Sequence, residues 1–211
     1  MDFIKRLLLL LVTTLSGWLV IVCTIVFLLE INLGASFIEP LLFDRSTWYT
    51  YLTPSLMHLS WLHLILNLFT LFFVGLYMEY SIGKFQYILF LITASIVSNA
   101  AQGFIVGTGF AGISGVVFAV CAYMMVEYHF KEYYKIKHDN PWRLHATVQI
   151  IGLLALGFLF NYYATDSIGF GLANVAHLYG FLVGGIWSMI SLNKPYPLSG
   201  LRSQNNQNKR L

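Results

Sequence analysis

Ser114 stands in the stretch GFAGISGVVFAV, between Gly112 and Gly115, where a long apolar run begins. A hydroxyl there becomes a nucleophile if a base lies within reach, and His177, in LANVAHLYGFLVGG, is a candidate. His63 and Asn67, in LMHLSWLHLILN, are four residues apart. On a helix that spacing puts both on one face, about 6 Å apart along the axis. Each can donate a hydrogen bond toward the same point. A serine, a histidine base and two further donors are the parts of an acyl-transfer site, in which the donors hold the oxyanion. Gly112 and Gly115 leave the hydroxyl unshielded. The N–H groups of a helix start, at the positive end of the helix dipole, suit a developing negative charge.

The elements that must position these groups follow from composition. The chain has 211 residues, 58% of them hydrophobic and 10% charged, with a mean hydropathy of +0.71. Soluble domains carry about 25% charged residues, so this is an all-α membrane protein. A spanning helix needs about 20 apolar residues, and six stretches are expected to qualify: 7–29, 56–78, 85–107, 113–126, 144–163 and 172–192. The first follows Lys5 and Arg6, runs without a charge and lacks a small-x-small cleavage pattern, so it reads as a retained span. Residues 1–192 are expected to form the membrane core and 193–211, containing SQNNQNKR, a disordered tail.

With both termini in the cytoplasm, eleven of the twelve Lys and Arg residues fall on the inner side and only Arg45 on the outer. That is a positive-inside pattern, and the net charge of +3 reports topology and attraction to anionic lipid. The basic residues are too scattered for a nucleic-acid partner. No metal or other cofactor is called for. Cys23 and Cys121 read as small packing residues within spans.

In this topology the second, fourth and sixth spans all start at the outer face. Ser114, His177, His63 and Asn67 therefore share a depth, whereas His129, His138 and His145 lie at the inner side. Polar groups inside a span usually face a bundle interior or a wet cavity. Ala176, Gly180 and Gly184 form a small-residue stripe on the sixth span, and Gly115 and Ala119 form one on the fourth. Such stripes let helices approach closely in lipid. If these two pack together, the imidazole of His177 comes within reach of Ser114. Taken singly, each residue has a plainer use. Ser114 could bond its own backbone, His177 could tie helices together, and His63 and Asn67 could tie the second span to its neighbours.

The chain resembles the rhomboid family of intramembrane serine proteases, in particular its bacterial GlpG-type members. The resemblance rests on HLSWLHLILN (58–67), MEYSIG (78–83), GISG (112–115) and AHLYGFLVG (176–184), in that order. It implies a six-helix rhomboid-like bundle in the bacterial inner membrane. Ser114 would be the nucleophile and His177 its general base, with His63, Asn67 and the Ser114 N–H as oxyanion donors. Gly112, Gly115, Gly180, Gly184 and Glu79 would be structural supports. The substrates implied are single-pass or other transmembrane proteins.

The family often has a tyrosine four residues beyond the nucleophile, supporting the histidine ring; here Phe118 keeps the aromatic face. The Trp-Arg pair common in the family's first outer loop is replaced by Trp48-Tyr49, with Arg45 three residues before the tryptophan. Two other classes compete with the protease reading. One is a non-catalytic rhomboid-like quality-control factor that binds transmembrane helices, although such proteins typically lack the serine or the histidine. The other is a small permease, disfavoured by the absence of repeats and mid-span charges.

Overall fold

The computed structural model describes residues 3–135 and 173–191. The expected span at 144–163 and the expected tail at 193–211 lie outside them. The described elements are all helical: α1 (Phe3–Thr13), α2 (Leu15–Leu33), the single turn α3 (Ala35–Ile38), α4 (Trp61–Ile82), α5 (Lys84–Ile105), α6 (Ser114–Lys135) and α7 (Asn174–Ser191). Short 3-10 turns, Glu39–Leu41, Trp48–Tyr51 and Thr53–Leu56, carry the long loop between α3 and α4. Three helices among the described residues, α2, α4 and α5, are long and apolar enough to cross a membrane. The apolar part of α6 is shorter, ending at Glu127.

The first apolar stretch is not one helix, as its unbroken hydrophobicity suggests. It breaks at Thr14, whose backbone is extended and whose hydroxyl accepts the Gly17 N–H at 3.0 Å, capping a new helix. The chain bends so sharply there that a methyl on Gly17 would collide with the backbone of Leu10 and Leu11. Glu79 holds the bend from α4, accepting the N–H groups of Leu15 and Ser16 at 3.0 and 3.1 Å. A carboxylate at a helix start answers both its orphan donors and its dipole. Lys84 caps the other side, donating to the Thr13 carbonyl at 2.9 Å. The eleven residues of α1 extend only about 16 Å at 1.5 Å per residue, too little to cross a hydrocarbon core of about 30 Å.

The second span also starts later than its apolar run, at Trp61. Ser60 is extended and its hydroxyl accepts the His63 N–H at 3.2 Å, so the cap overrides the hydrophobic residues ahead of it. Gly83, at φ +82°, ends α4 and turns the chain into α5.

Buried side chains of α2, α4, α5 and α6 form the core, among them Cys23, Leu71, Tyr87, Phe90, Val120 and Tyr123. Both cysteines are free and buried, as their apolar settings suggested. Outward faces expose Ile65, Phe69, Phe73, Ile186 and Ile190, as a lipid solvent allows. The closest packing joins α5, α6 and α7. A methyl on Gly180 would strike the Gly115 carbonyl, and one on Gly184 would strike that of Ala119. The two small-residue stripes therefore lie backbone to backbone. Ser98 of α5 completes the junction, its Oγ lying 2.8 Å from where a Gly115 methyl would sit.

Candidate active site

The tight α6–α7 seam brings together residues 63 positions apart in the chain. Ser114 Oγ lies 2.8 Å from His177 Nε2, within hydrogen-bond distance. Ser114 is 8% exposed and is the first residue of α6. Its N–H is thus among the first-turn donors that a helix cannot satisfy internally. Two residues before it, Gly112 sits at φ +127°, a backbone conformation that side-chain-bearing residues rarely adopt. Its N–H donates to the Pro54 carbonyl at 2.9 Å, which ties the approach to the long loop.

Phe118, one turn along α6, lies flat against the His177 ring, with centroids 4.3 Å apart and planes within 2°. That contact fixes the ring plane of the imidazole, the role a second hydrogen-bonding residue often plays. On the α7 side, the Ala176 N–H donates to Gln102 Oε1 at 3.2 Å, which anchors the start of the helix to α5.

The donors from α4 arrive on the other flank. The His63 ring faces Gly112 so closely that a methyl there would lie 2.6 Å from Cε1 and 2.9 Å from Nε2. Asn67, one turn deeper, is 7% exposed, and its Nδ2 is buried without a hydrogen-bond partner. A buried amide donor in that state is costly, and a negative oxygen arriving at the site would satisfy it. Among the described residues no group of three or more His, Cys, Asp or Glu could hold a metal ion.

The structure therefore gathers Ser114, His177, His63 and Phe118 around Gly112 and the start of α6, with Asn67 one turn further along α4. Gly180 and Gly184 lie in the seam behind them, and Glu79 stands at the opposite end of α4. Asn99 serves the loop, donating from Nδ2 to the Tyr51 carbonyl and to Ser55 Oγ, both at 2.9 Å.

Sequence reasoning left the long loop without an anchor once the family's arginine was missing. Arg45 supplies it. Its guanidinium lies 4.9 Å from the centre of the Phe104 ring and donates to the Phe104 carbonyl at 3.4 Å. The signal was present in the sequence, since Arg45 is the sole Lys or Arg between Arg6 and Lys84. Glu30, which no sequence pattern singles out, is buried and accepts the His58 N–H at 3.2 Å.

The family model described as the rhomboid domain matches residues 45–194, which include every group named at this site except Glu30. The chain belongs to the rhomboid family. This rhomboid is 32% identical over 150 residues to "Rhomboid protease GlpG" of Haemophilus influenzae, covering 70% of the chain and 71% of that relative. It is 26% identical over 151 residues to the protein of the same name in Pectobacterium atrosepticum, and 28% over 136 residues to that in Enterobacter sp.. The match covers 50% and 46% of those two longer relatives, so this rhomboid spans about half their length.

Proposed function

We propose that Ser114 is the nucleophile and His177 the general base with which this intramembrane serine protease hydrolyses peptide bonds in or near transmembrane segments of other proteins. The observation that carries the reading is the 2.8 Å approach of Ser114 Oγ to His177 Nε2. The imidazole takes the hydroxyl proton as Oγ attacks the peptide carbonyl. The resulting oxyanion is held by the Ser114 N–H, by Asn67 Nδ2 and by the His63 ring. His177 then gives its proton to the leaving amine, and water, activated by the same imidazole, releases the acyl group. No acid orients His177 in this scheme; the stacked Phe118 ring does so.

The same proposal includes six spans with both termini cytoplasmic in a bacterial inner membrane. Residues 1–192 form the protease core. The positive-inside bias of the Lys and Arg residues supports that orientation, which puts the dyad near the outer face.

Purified Ser114→Ala in proteoliposomes is expected to lose cleavage of a transmembrane substrate while unfolding at the parental temperature. A fluorophosphonate probe should label the parent and not the variant. Parental cleavage by Ser114→Ala refutes the assignment.

A further inference from the structure

The break at Thr14 leaves α1 outside the helical bundle. In one continuous helix Leu11 and Gly17, six residues apart, would be separated by about 9 Å of rise. Here a methyl on Gly17 would lie 2.5 Å from Leu11 Cα, so the two backbones touch and α1 leaves the line of α2. It does not run back along the bundle either, for none of its side chains is buried. Leu7 and Leu11 are half-buried, and every other residue of α1 is exposed, Phe3 to 77%.

The groups that hold the bend give its level. Glu79, in the last turn of α4, and Lys84, the first residue of α5, fasten it. Between them Tyr80 is 78% exposed, and tyrosine collects where hydrocarbon meets headgroups. The bend therefore lies at the membrane surface where α4 ends and α5 begins. At about 100° per residue, Lys5, Arg6 and Thr13 share one arc of about 100° on α1, interrupted by Leu9 alone. The rest of the circumference is wholly apolar. A helix with a basic edge and a broad apolar face lies in the plane of an interface.

Charge names the occupant. Lys5 and Arg6 are the charged residues of α1, both positive, and Lys84 adds a third cation at the bend. Anionic headgroups attract such a cluster, whereas a zwitterionic surface carries no net charge to meet it. We propose that α1 is an in-plane helix whose apolar face is covered by lipid chains and whose Lys5 and Arg6 bind the headgroups of anionic phospholipid. The proposal needs α2, α4 and α5 to cross a bilayer. It is independent of the Ser114 chemistry and of which surface faces the cytoplasm.

In the test, the full chain is reconstituted in phosphatidylcholine vesicles with a minority of phosphatidylglycerol in both leaflets. A fluorophore is placed in turn at Ile4→Cys, Leu8→Cys and Val12→Cys, which follow one another along the apolar face, with the unsubstituted chain as blank. Quenching by lipids spin-labelled at graded depths is expected to put all three at one shallow level. A depth that changes by about 12 Å between positions 4 and 12, the rise of a helix inserted end-on, overturns the proposal. So does a hydrated probe at all three, or energy transfer between labelled copies in place of lipid quenching, which assigns the face to a second copy of the chain. With the spin label carried by phosphatidylglycerol or by phosphatidylcholine at equal abundance, quenching at position 8 should report about a fivefold local excess of phosphatidylglycerol. That is the scale for one basic residue at an anionic surface. The excess should fall to about one in Lys5→Gln/Arg6→Gln and shrink with added salt. Equal quenching by both lipids in the parent, or an excess that survives in the double variant, overturns the headgroup assignment.

Discussion

Replacing Gly180 with alanine tests whether the dyad depends on the closeness of α6 and α7. The new methyl would lie 2.8 Å from the carbonyl carbon of Gly115, where ordinary contact begins at 3.4 Å. The helices must therefore part by roughly 0.6 Å at that atom, the difference between those two distances, and by more at the carbonyl oxygen. Ser98 Oγ, 3.1 Å from the same methyl, closes the sideways escape. Gly115 adjoins Ser114 and Gly180 is one turn from His177, so the displacement falls almost wholly on the dyad. Opening a 2.8 Å contact by that amount or more carries Oγ and Nε2 to about the limit of a hydrogen bond.

A misplacement of about 1 Å at a reacting pair costs about a hundredfold in rate, and overpacking of this kind costs about 1–3 kcal/mol in stability. The assay is kcat on a transmembrane substrate in proteoliposomes, with thermal unfolding measured on the same preparation. Gly185→Ala is the control, because its nearest neighbour, Val126 Cγ2, is 4.0 Å away. It should leave both readouts near parental values. A folded Gly180→Ala variant within twofold of the parental kcat would refute the close-packing argument.

Three further outcomes follow from the same contacts. Asn67→Ala should lower kcat by about a hundredfold with little change in KM, as loss of one oxyanion donor does. Because its Nδ2 has no partner in the resting protein, thermal stability should hardly move. Glu79→Ala should lower stability by about 3 kcal/mol by orphaning the buried N–H groups at the start of α2, measured by chemical denaturation in micelles. Asp44, in the long loop, has its carboxyl held below its ordinary value of 3.8 by the Ser46 N–H, the Ser46 hydroxyl and the Thr47 hydroxyl. A lowered carboxylate pKa stabilises the folded loop above pH 3.8 and ceases to do so as pH falls through the lowered value. The advantage of the parent over Asp44→Asn in thermal unfolding should therefore shrink in that acid window and be flat above it.

The sequence by itself determined the solvent and the chemistry. An excess of apolar residues admits few structures besides helices that satisfy their own backbones in lipid. The types and order of Ser114, His177, His63 and Asn67 point to acyl transfer before any contact is known. Small residues recurring every four positions marked the seam, because only a stripe without side chains lets two backbones touch. Boundaries were less legible. Hydropathy ran straight through Thr14 and through the residues before Trp61, whereas capping hydrogen bonds placed the helix starts.

Tertiary structure alone decided matters that depend on distance. It determined that Gln102 fastens α7, that Arg45 replaces a missing anchor by reaching the end of α5, and that Glu30 is buried beside the site. An isolated acid or amide carries no sequence pattern that says which neighbour it will meet. Its partners lie across long gaps in the chain, and their separation is the sum of every bend and packing contact between them.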